Sequence, residues 1–197
     1  MSKNINKKIC EWVGDKPIYI DYHNNEWGKP IYDDQLLFEF LILDTFQAGL
    51  SWLTILNKRE NFRKAFDHFD ARKIAAYEHN KFDELMQDAG IIRNKLKIKA
   101  TITNAQLYLD ILEEYGCFSD YIWQFVGGKP KINHWKTMKE VPVSTPESDA
   151  MSKDLKKWGF KFVGTTICYA FMQAAGMVND HTTDCYLHSF YANSQRL

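Results

Sequence analysis

The sequence lacks the surplus of basic residues that marks many nucleic-acid-binding domains, because 25 Lys and Arg balance 25 Asp and Glu. It has no apolar run near the ~20 residues that cross a bilayer, and its first ten residues contain no apolar core of a signal peptide. Cysteines number only four, and without a secretory signal they favour metal ligation in a reducing cytoplasm over disulfides. These absences predict a soluble cytoplasmic protein without membrane contact, whose binding of any nucleic acid depends on local basic patches.

Signals for β-strands are also missing, since there is no sustained period-two alternation and no two-residue hairpin dipeptide. Helical periodicity is found in these segments: 36–43, 51–66, 95–114, 144–159 and 163–176. The first is apolar except for Glu39 and is expected to be buried on most sides. Ser144 or Thr145 is expected to cap the fourth, with Pro146 in its first turn. The sequence therefore predicts an all-α protein.

No repeat, low-complexity stretch or linker divides the chain, so we expect a single compact helical domain over residues 1–197. Residues 10–33 and 127–146 are expected to be irregular. A division into two subdomains stays open, with core helices at about 34–126 and terminal segments at about 1–33 and 144–197.

Four residues at opposite ends of the chain form a set suited to one metal ion. Cys10 and His23 lie near the N-terminus, while His181 and Cys185 lie near the C-terminus at a spacing that puts both on one face of a helical turn. Two thiolates and two imidazoles make a closed tetrahedral zinc site with no position for a reactive water. The alternative is four unrelated residues, since a gap of 13 between the first two is not a familiar zinc-finger spacing.

Aromatic residues are concentrated in the segment CEWVGDKPIYIDYHNNEWG, which shows weak helical character. Trp12, Tyr19, Tyr22 and Trp27 fall within sixteen residues there. Large rings on loops that a rigid scaffold carries commonly line a binding pocket. The alternative is that they cover the edge of a helical core, but their number beside two candidate metal ligands favours a pocket.

The segment LDTFQAGLSW, residues 43–52, connects two predicted core helices tightly. Gly49 permits an unusual backbone angle or the close approach of a partner, and Leu50 is available as an apolar wedge. Asp44 directly follows the apolar run and is a candidate functional carboxylate. Taken alone, it is better interpreted as a helix cap, because Asp44 and Gln47 fit a D-x-x-Q capping box.

A third segment, LMQDAGIIRNKLKIKATI at residues 85–102, predicts two helices joined by a short connector that contains Gly90. Basic residues, including Arg93 and Lys95, follow at once. A helix–hairpin–helix of this kind presents backbone N–H groups to a phosphate. An ordinary turn between two packed helices is the alternative.

Together these segments resemble the 3-methyladenine DNA glycosylase I family of bacterial repair enzymes. The matching motifs occur in order over nearly the whole chain: C-x-W-V, Y-x-x-Y-H-x-x-E-W-G, QAGLSW, DAGIIR and GFKFVGTTICYAFMQAAGMVNDH. The resemblance implies the all-helical helix–hairpin–helix glycosylase fold, with one structural zinc joining the N- and C-terminal segments. The implied zinc ligands are Cys10, His23, His181 and Cys185.

The resemblance also implies an aromatic base pocket with one carboxylate. The matching rings are Trp12, Tyr19, Tyr22, Trp27 and Trp52. The family has a glutamate three residues before QAGLSW, where this chain has Asp44, so the charge is kept and the reach is shorter by one methylene. Gly49, Leu50, Gly90, Arg93 and Lys95 are the implied DNA contacts.

The expected activity is hydrolysis of the N-glycosidic bond of 3-methyladenine in alkylated double-stranded DNA, after the base is flipped into the pocket. The expected mechanism is monofunctional, with water as nucleophile, no lysine Schiff base and no strand cleavage. The expected enzyme is a monomer in the bacterial cytoplasm, with the nucleoid. A zinc-stabilised lesion-binding protein with weakened catalysis is the alternative.

Overall fold

The computed structural model describes residues 7–189, which are mostly helical. The α-helices in this part of the chain are α1 (Pro17–Asn25), α2 (Asp34–Gln47), α3 (Trp52–Leu56), α4 (Arg59–Ala65), α5 (Ala71–Ala75), α6 (His79–Gln87), α7 (Lys95–Tyr115), α8 (Phe118–Trp123), α9 (Pro146–Trp158) and α10 (Thr165–Ala174). Two two-residue strands, β1 (Lys131–Ile132) and β2 (Val178–Asn179), form one parallel pair. The prediction of an all-α protein is confirmed.

Helix α2 is the centre of the fold and packs against α3, α7, α8 and α10. Asp33 begins it by accepting a hydrogen bond from the Leu36 backbone N–H at 2.8 Å. Residues 37–46 are all buried, as the apolar run predicts, and the helix continues to Gln47. Two of these buried residues, Glu39 and Asp44, have ionisable side chains. Glu39 pairs with Arg59 and Arg63 from α4.

Two helices, α9 and α7, begin at a residue whose side chain caps the helix. Thr145, one of the two expected residues, caps α9 in a reciprocal capping box with Ser148, and Gly159 ends the helix in the left-handed conformation. Asn94 caps α7 by accepting from two backbone N–H groups. The single helix expected over 51–66 is wrong, because the chain divides into α3 and α4 between residues 56 and 59.

The expectation of an irregular segment over 10–33 is also wrong in its central part. Glu11–Val13 forms a short 3₁₀ turn and α1 follows, beginning with Pro17 in the first helical position, where the missing N–H costs nothing. Helix α1 has aromatic rings on one side and no regular aliphatic stripe. Its sequence therefore lacks the apolar periodicity that predicts a helix. Residues 127–146 are mainly loop, interrupted by β1 and a 3₁₀ turn at Met138–Glu140.

The segment after α1 is fixed against the end of α10. The Gly28 N–H donates to the Gln173 carbonyl and the Ile31 N–H donates to the Ala175 carbonyl, both at 3.1 Å. Gly176, at φ +67°, lies so close to the 29–30 backbone that a Cβ there would be 2.2 Å from a main-chain carbon. The segment after α1 therefore lies directly against the end of α10.

The single-domain expectation over 1–197 stays a prediction, and residues 1–6 and 190–197 lie outside the described part. Between residues 7 and 189, the helices are all too short or too polar to span a membrane.

Candidate functional site

A cavity of about 180 Å³ opens between the N-terminal segment, α2, α3 and α10. It is lined by Trp12, Tyr19, Tyr22, Trp27, Asp44, Gln47, Trp52, Met138, Ala170, Gln173 and Ala174. The structure thus brings the five rings and the carboxylate singled out in the sequence to one place. Sequence reasoning missed the contributions of Met138 and of α10, because helical periodicity indicates a buried face but not a cavity.

The rings in the cavity wall contact one another mainly edge to face. The Trp12 ring centroid lies 5.4 Å from that of Tyr19 and 5.1 Å from that of Trp27, with interplanar angles of 82° and 68°. Tyr22 and Trp52 are 5.5 Å apart at 50°. These contacts fix the rings before any ligand arrives, so the apolar walls are preorganised.

Asp44 lies in the last turn of α2 and is only 2% exposed. Its Oδ2 atom has no hydrogen-bond partner among the described residues. Burial raises the pKa of this carboxyl well above its ordinary 3.8. A buried acceptor without a partner is costly, so the carboxylate is a ready acceptor for a ligand that supplies N–H groups or positive charge.

The capping interpretation of Asp44 is wrong. The helix does not begin or end at Asp44, because Thr45 and Phe46 are buried and continue α2 to Gln47. The next helix is capped by Ser51 instead, whose hydroxyl accepts from the Thr54 N–H at 3.3 Å.

The turn after α2 contains Gly49 at φ +77°, a backbone angle that favours glycine. Leu50 follows and is 40% exposed. The end of α2 before this turn is held by Lys97, whose Nζ donates to the carbonyls of Phe46 at 2.7 Å and Ala48 at 2.6 Å. An exposed apolar side chain therefore stands on a firmly anchored turn that follows Gln47, a cavity-lining residue.

The helices α6 and α7 enclose the connector at residues 88–94. The Lys58 Nζ donates to the carbonyls of Ala89 at 2.9 Å and Gly90 at 3.1 Å, and the Gly90 N–H donates to Asp88 Oδ1 at 2.7 Å. A Cβ at Gly90 would lie 3.1 Å from the Asn61 Cβ, so this position has little space for a side chain.

Arg93 and Lys95, immediately beyond the connector, are exposed. The connector therefore has a fixed backbone with cationic side chains beside it, which is an arrangement suited to phosphate contacts.

A second cluster lies behind the aromatic wall, where the ligand atoms of Cys10, His23 and Cys185 are all within 4.8 Å of one another. The His23 Nδ1 atom bonds to Asn24 Oδ1 at 2.9 Å, and its Nε2 is 3.5 Å from Cys185 Sγ. Zn–S and Zn–N bonds of ~2.3 and ~2.0 Å at a tetrahedral angle separate S and N by about 3.5 Å. The donor set and its spacing therefore fit a metal ion.

The protonation of these groups also suits a cation. A hydrogen bond between the two thiols lowers the pKa of Cys185 and raises that of Cys10, so the pair readily provides a thiolate. Burial lowers the pKa of His181 to about 3, which keeps its imidazole neutral.

His181 is not a member of the three-residue group. Its ring lies 4.9 Å from the His23 ring and stacks on Trp27 at 4.7 Å. The expectation that His181 and Cys185 share a face of a helical turn is wrong, because residues 181–185 form a non-helical turn after β2. The Cys185 N–H donates to the Thr182 carbonyl at 2.8 Å to close that turn.

Comparison with known proteins places the chain in a family. A model of the family described as methyladenine glycosylase matches residues 12–188. The chain belongs to this family. DNA-3-methyladenine glycosylase 1 of Escherichia coli strain K12 is 53% identical to it over 176 residues, which are 89% of this chain and 94% of the relative. The prediction of a 3-methyladenine DNA glycosylase I family member is confirmed.

Solved structures of methyladenine glycosylases share the fold. A crystal structure of 3-methyladenine DNA glycosylase I has a TM-score of 0.90 and 51% identity, covering 92% of this chain and 100% of the other. A variant of such an enzyme, crystallised in complex with 3-methyladenine, has a TM-score of 0.87 and 38% identity, covering 90% and 95%. The family match includes every cavity-lining residue, and Cys10 lies two positions before it.

Proposed function

We propose that the protein is a DNA glycosylase that hydrolyses the N-glycosidic bond of 3-methyladenine in alkylated DNA. One observation carries the proposal: in a chain of the methyladenine glycosylase family, five aromatic rings and a buried carboxylate with an unpartnered oxygen line one cavity. An aromatic cavity with one acid suits a flat, cationic base.

The cavity recognises the base by its positive charge and by the hydrogen-bonding groups on its edge. Methylation at N3 makes the adenine in DNA cationic, and each ring face beside it contributes ~0.5–2 kcal/mol by cation–π attraction. Stacking adds roughly 1–3 kcal/mol per base. Asp44 accepts a hydrogen bond from the 6-amino group and favours the cation over neutral adenine. Trp12 Nε1, a buried donor with no partner among residues 7–189, is available for a ring nitrogen of the base.

The positive charge of the base also drives the reaction. The C1′–N9 bond breaks with its electron pair going to N9, which leaves a neutral base and an oxocarbenium-like sugar. Water then forms the new C1′–O bond and releases a proton to solvent. None of the described cavity-lining residues is a lysine, which supports a monofunctional mechanism with no Schiff base and no strand cleavage.

Two segments hold the DNA: the turn after α2 and the connector between α6 and α7. Leu50 fills the gap that the flipped base leaves in double-stranded DNA, and Gly49 lets the backbone approach the duplex. The connector that contains Gly90 lies against the phosphates, with Arg93 and Lys95 adding charge. We propose that the protein acts as a monomer in the bacterial cytoplasm, with the nucleoid.

We also propose that one structural zinc ion binds at the cysteine and histidine cluster. Cys10, His23 and Cys185 would hold it, with His181, whose ring lies beside His23, as the fourth ligand. The ion would supply a crosslink between the chain termini and no chemistry to the reaction. Because Trp12 follows Cys10 by two residues, the crosslink would preorganise the aromatic wall.

The direct test is release of free base from N-methylated duplex DNA, measured by chromatography. We expect release of 3-methyladenine without strand cleavage, and a strong loss of release in Trp52→Ala. Tyr115→Ala is the matched control, since Tyr115 is 42% exposed and lies outside the cavity. No release by the wild-type protein would refute the proposal, and tight binding to methylated DNA without release would establish a lesion-binding protein instead.

A further inference from the structure

Asp180 lies directly behind the cavity, is 1% exposed, and receives four hydrogen bonds. Asn133 Nδ2 and Trp135 Nε1 both donate to its Oδ1 at 2.7 Å. The Tyr169 hydroxyl donates to Oδ2 at 2.5 Å and Gln173 Nε2 donates to the same oxygen at 2.8 Å. Four donors around one buried carboxyl group define Asp180 as an acceptor on both oxygens.

This arrangement decides which way the Gln173 amide faces. A carboxylate only accepts hydrogen bonds, so the Gln173 side chain must turn its NH₂ group toward Asp180. The carbonyl oxygen Oε1 then occupies the other position of the planar amide, away from that bond. Gln173 is half-buried and lines the cavity, and none of its described hydrogen bonds uses Oε1.

Asp44 and Gln173 are therefore two candidate acceptors in the cavity wall, on neighbouring helices. Asp44 is carried by α2 and Gln173 by α10, and these two helices pack against each other. An exocyclic amino group has two hydrogens in the plane of its base, directed about 120° apart. Two acceptors from adjacent walls match one such group.

We propose that Gln173 is a specificity-determining residue, whose Oε1 accepts the second hydrogen of the 6-amino group, and that Asp180 is the positioning residue that fixes its amide. This inference rests on the proposed glycosylase function. A 6-oxo base such as 3-methylguanine or 3-methylhypoxanthine presents oxygen lone pairs to both acceptors, so two hydrogen bonds are replaced by repulsion.

The first experiment uses the wild-type protein with two free bases. Binding of 3-methyladenine and 3-methylhypoxanthine is measured by quenching of tryptophan fluorescence. We expect the 6-amino base to bind at least about tenfold more tightly, as one hydrogen bond to a buried acceptor implies. We also expect N6-methylation of 3-methyladenine, which removes one amino hydrogen, to weaken binding about tenfold. Equal affinity for all three bases would overturn the proposal.

Variants then assign the preference to Gln173. We expect Gln173→Met, which keeps the length and removes the acceptor, to reduce the 6-amino preference about tenfold. Gln124→Met is the matched control, because Gln124 donates to the Tyr121 carbonyl and lies outside the cavity. A folded Gln173→Met protein with an unchanged ratio, or one weakened equally for both bases, would refute the assignment. If this variant does not fold, Asp180→Asn decides, because it acts on the Gln173 amide and leaves Asp44 unchanged.

Asp180→Asn separates orientation from simple support. An amide at position 180 offers an N–H group, so the Gln173 amide can reverse and direct its NH₂ into the cavity. The ratio of affinities is then expected to shift toward the 6-oxo base, whereas a purely structural role would lower both affinities together. Failure of the glycosylase function would be seen separately, as no release of 3-methyladenine from DNA by the wild-type protein.

Discussion

Replacement of Asp44 by asparagine tests the centre of the proposed mechanism. Asparagine is nearly isosteric and keeps one oxygen acceptor, but it removes the negative charge that a cationic base requires. Because Asp44 is 2% exposed and Oδ2 has no partner within residues 7–189, almost no solvent screens its interaction with a bound base. The substitution therefore removes an interaction with little competition from water.

The expected loss follows from the strength of a charge-assisted hydrogen bond. Such bonds contribute ~1.5–3 kcal/mol, which corresponds to a decrease of about ten- to 150-fold in kcat/KM for 3-methyladenine release. We expect Asp44→Glu to retain more activity, because it keeps the charge and restores the residue that the family resemblance implies. The assay is single-turnover base release from methylated duplex DNA, with thermal unfolding followed in parallel.

The pH dependence of base release provides a second, independent test of the role of Asp44. Burial raises the pKa of Asp44, so the carboxyl is protonated at pH values where an exposed aspartate is ionised. Release by the wild-type enzyme should therefore fall as pH decreases through this raised pKa, whereas release by Asp44→Asn should not show that step. Stability has the opposite trend, because ionisation of a buried carboxyl without a partner destabilises the fold as pH rises through the folded-state pKa. We expect Asp44→Asn to have an equal or higher Tm at neutral pH.

Two results would refute this reasoning. If Asp44→Asn retains as much activity as Asp44→Glu, the negative charge is not used for recognition. If activity and Tm fall together in Asp44→Asn, the residue supports the fold rather than the base.

Three further predictions concern the metal cluster, the connector and the wedge. Cys185→Ser should reduce the zinc content from about one ion per chain and increase hydrogen exchange at both termini together; full stability without metal would contradict this. Gly90→Ala should weaken duplex binding with little change in free-base binding, since its Cβ would meet Asp88 Oδ1 at 2.9 Å; unchanged affinity for DNA would exclude the connector as a contact. Leu50→Ala should keep Tm within a few degrees, because the side chain is 40% exposed, and should slow base release from duplex DNA more than from single-stranded DNA; equal slowing would argue against a wedge.

The sequence predicted those parts of the fold whose cause is local. The continuous apolar run in α2 requires burial on all sides, and Thr145 with Ser148 caps α9 through contacts within four residues. The structure also places Trp12 and its companion rings around one cavity, as the clustering in the sequence suggested. Their roles as base contacts stay predictions.

Errors arose where a neighbour distant in sequence decides the outcome. Asp44 fits a capping box in the sequence, but it lies inside α2, which continues to Gln47 and packs against other helices. His181 and Cys185 have helical spacing, but they lie in a non-helical bend that follows the paired strand β2. The apolar periodicity of a sequence does not reveal contacts between residues that are distant in the chain.

The sequence by itself determined the longer helices and which chemical groups are available, because propensity, capping and apolar patterning act between near neighbours. Only the tertiary structure decided how those groups face the cavity. The orientation of the Gln173 amide depends on Asp180, which in turn is held by Asn133, Trp135 and Tyr169. These hydrogen bonds join residues up to 47 positions apart, so the orientation of the amide depends on contacts between distant parts of the chain.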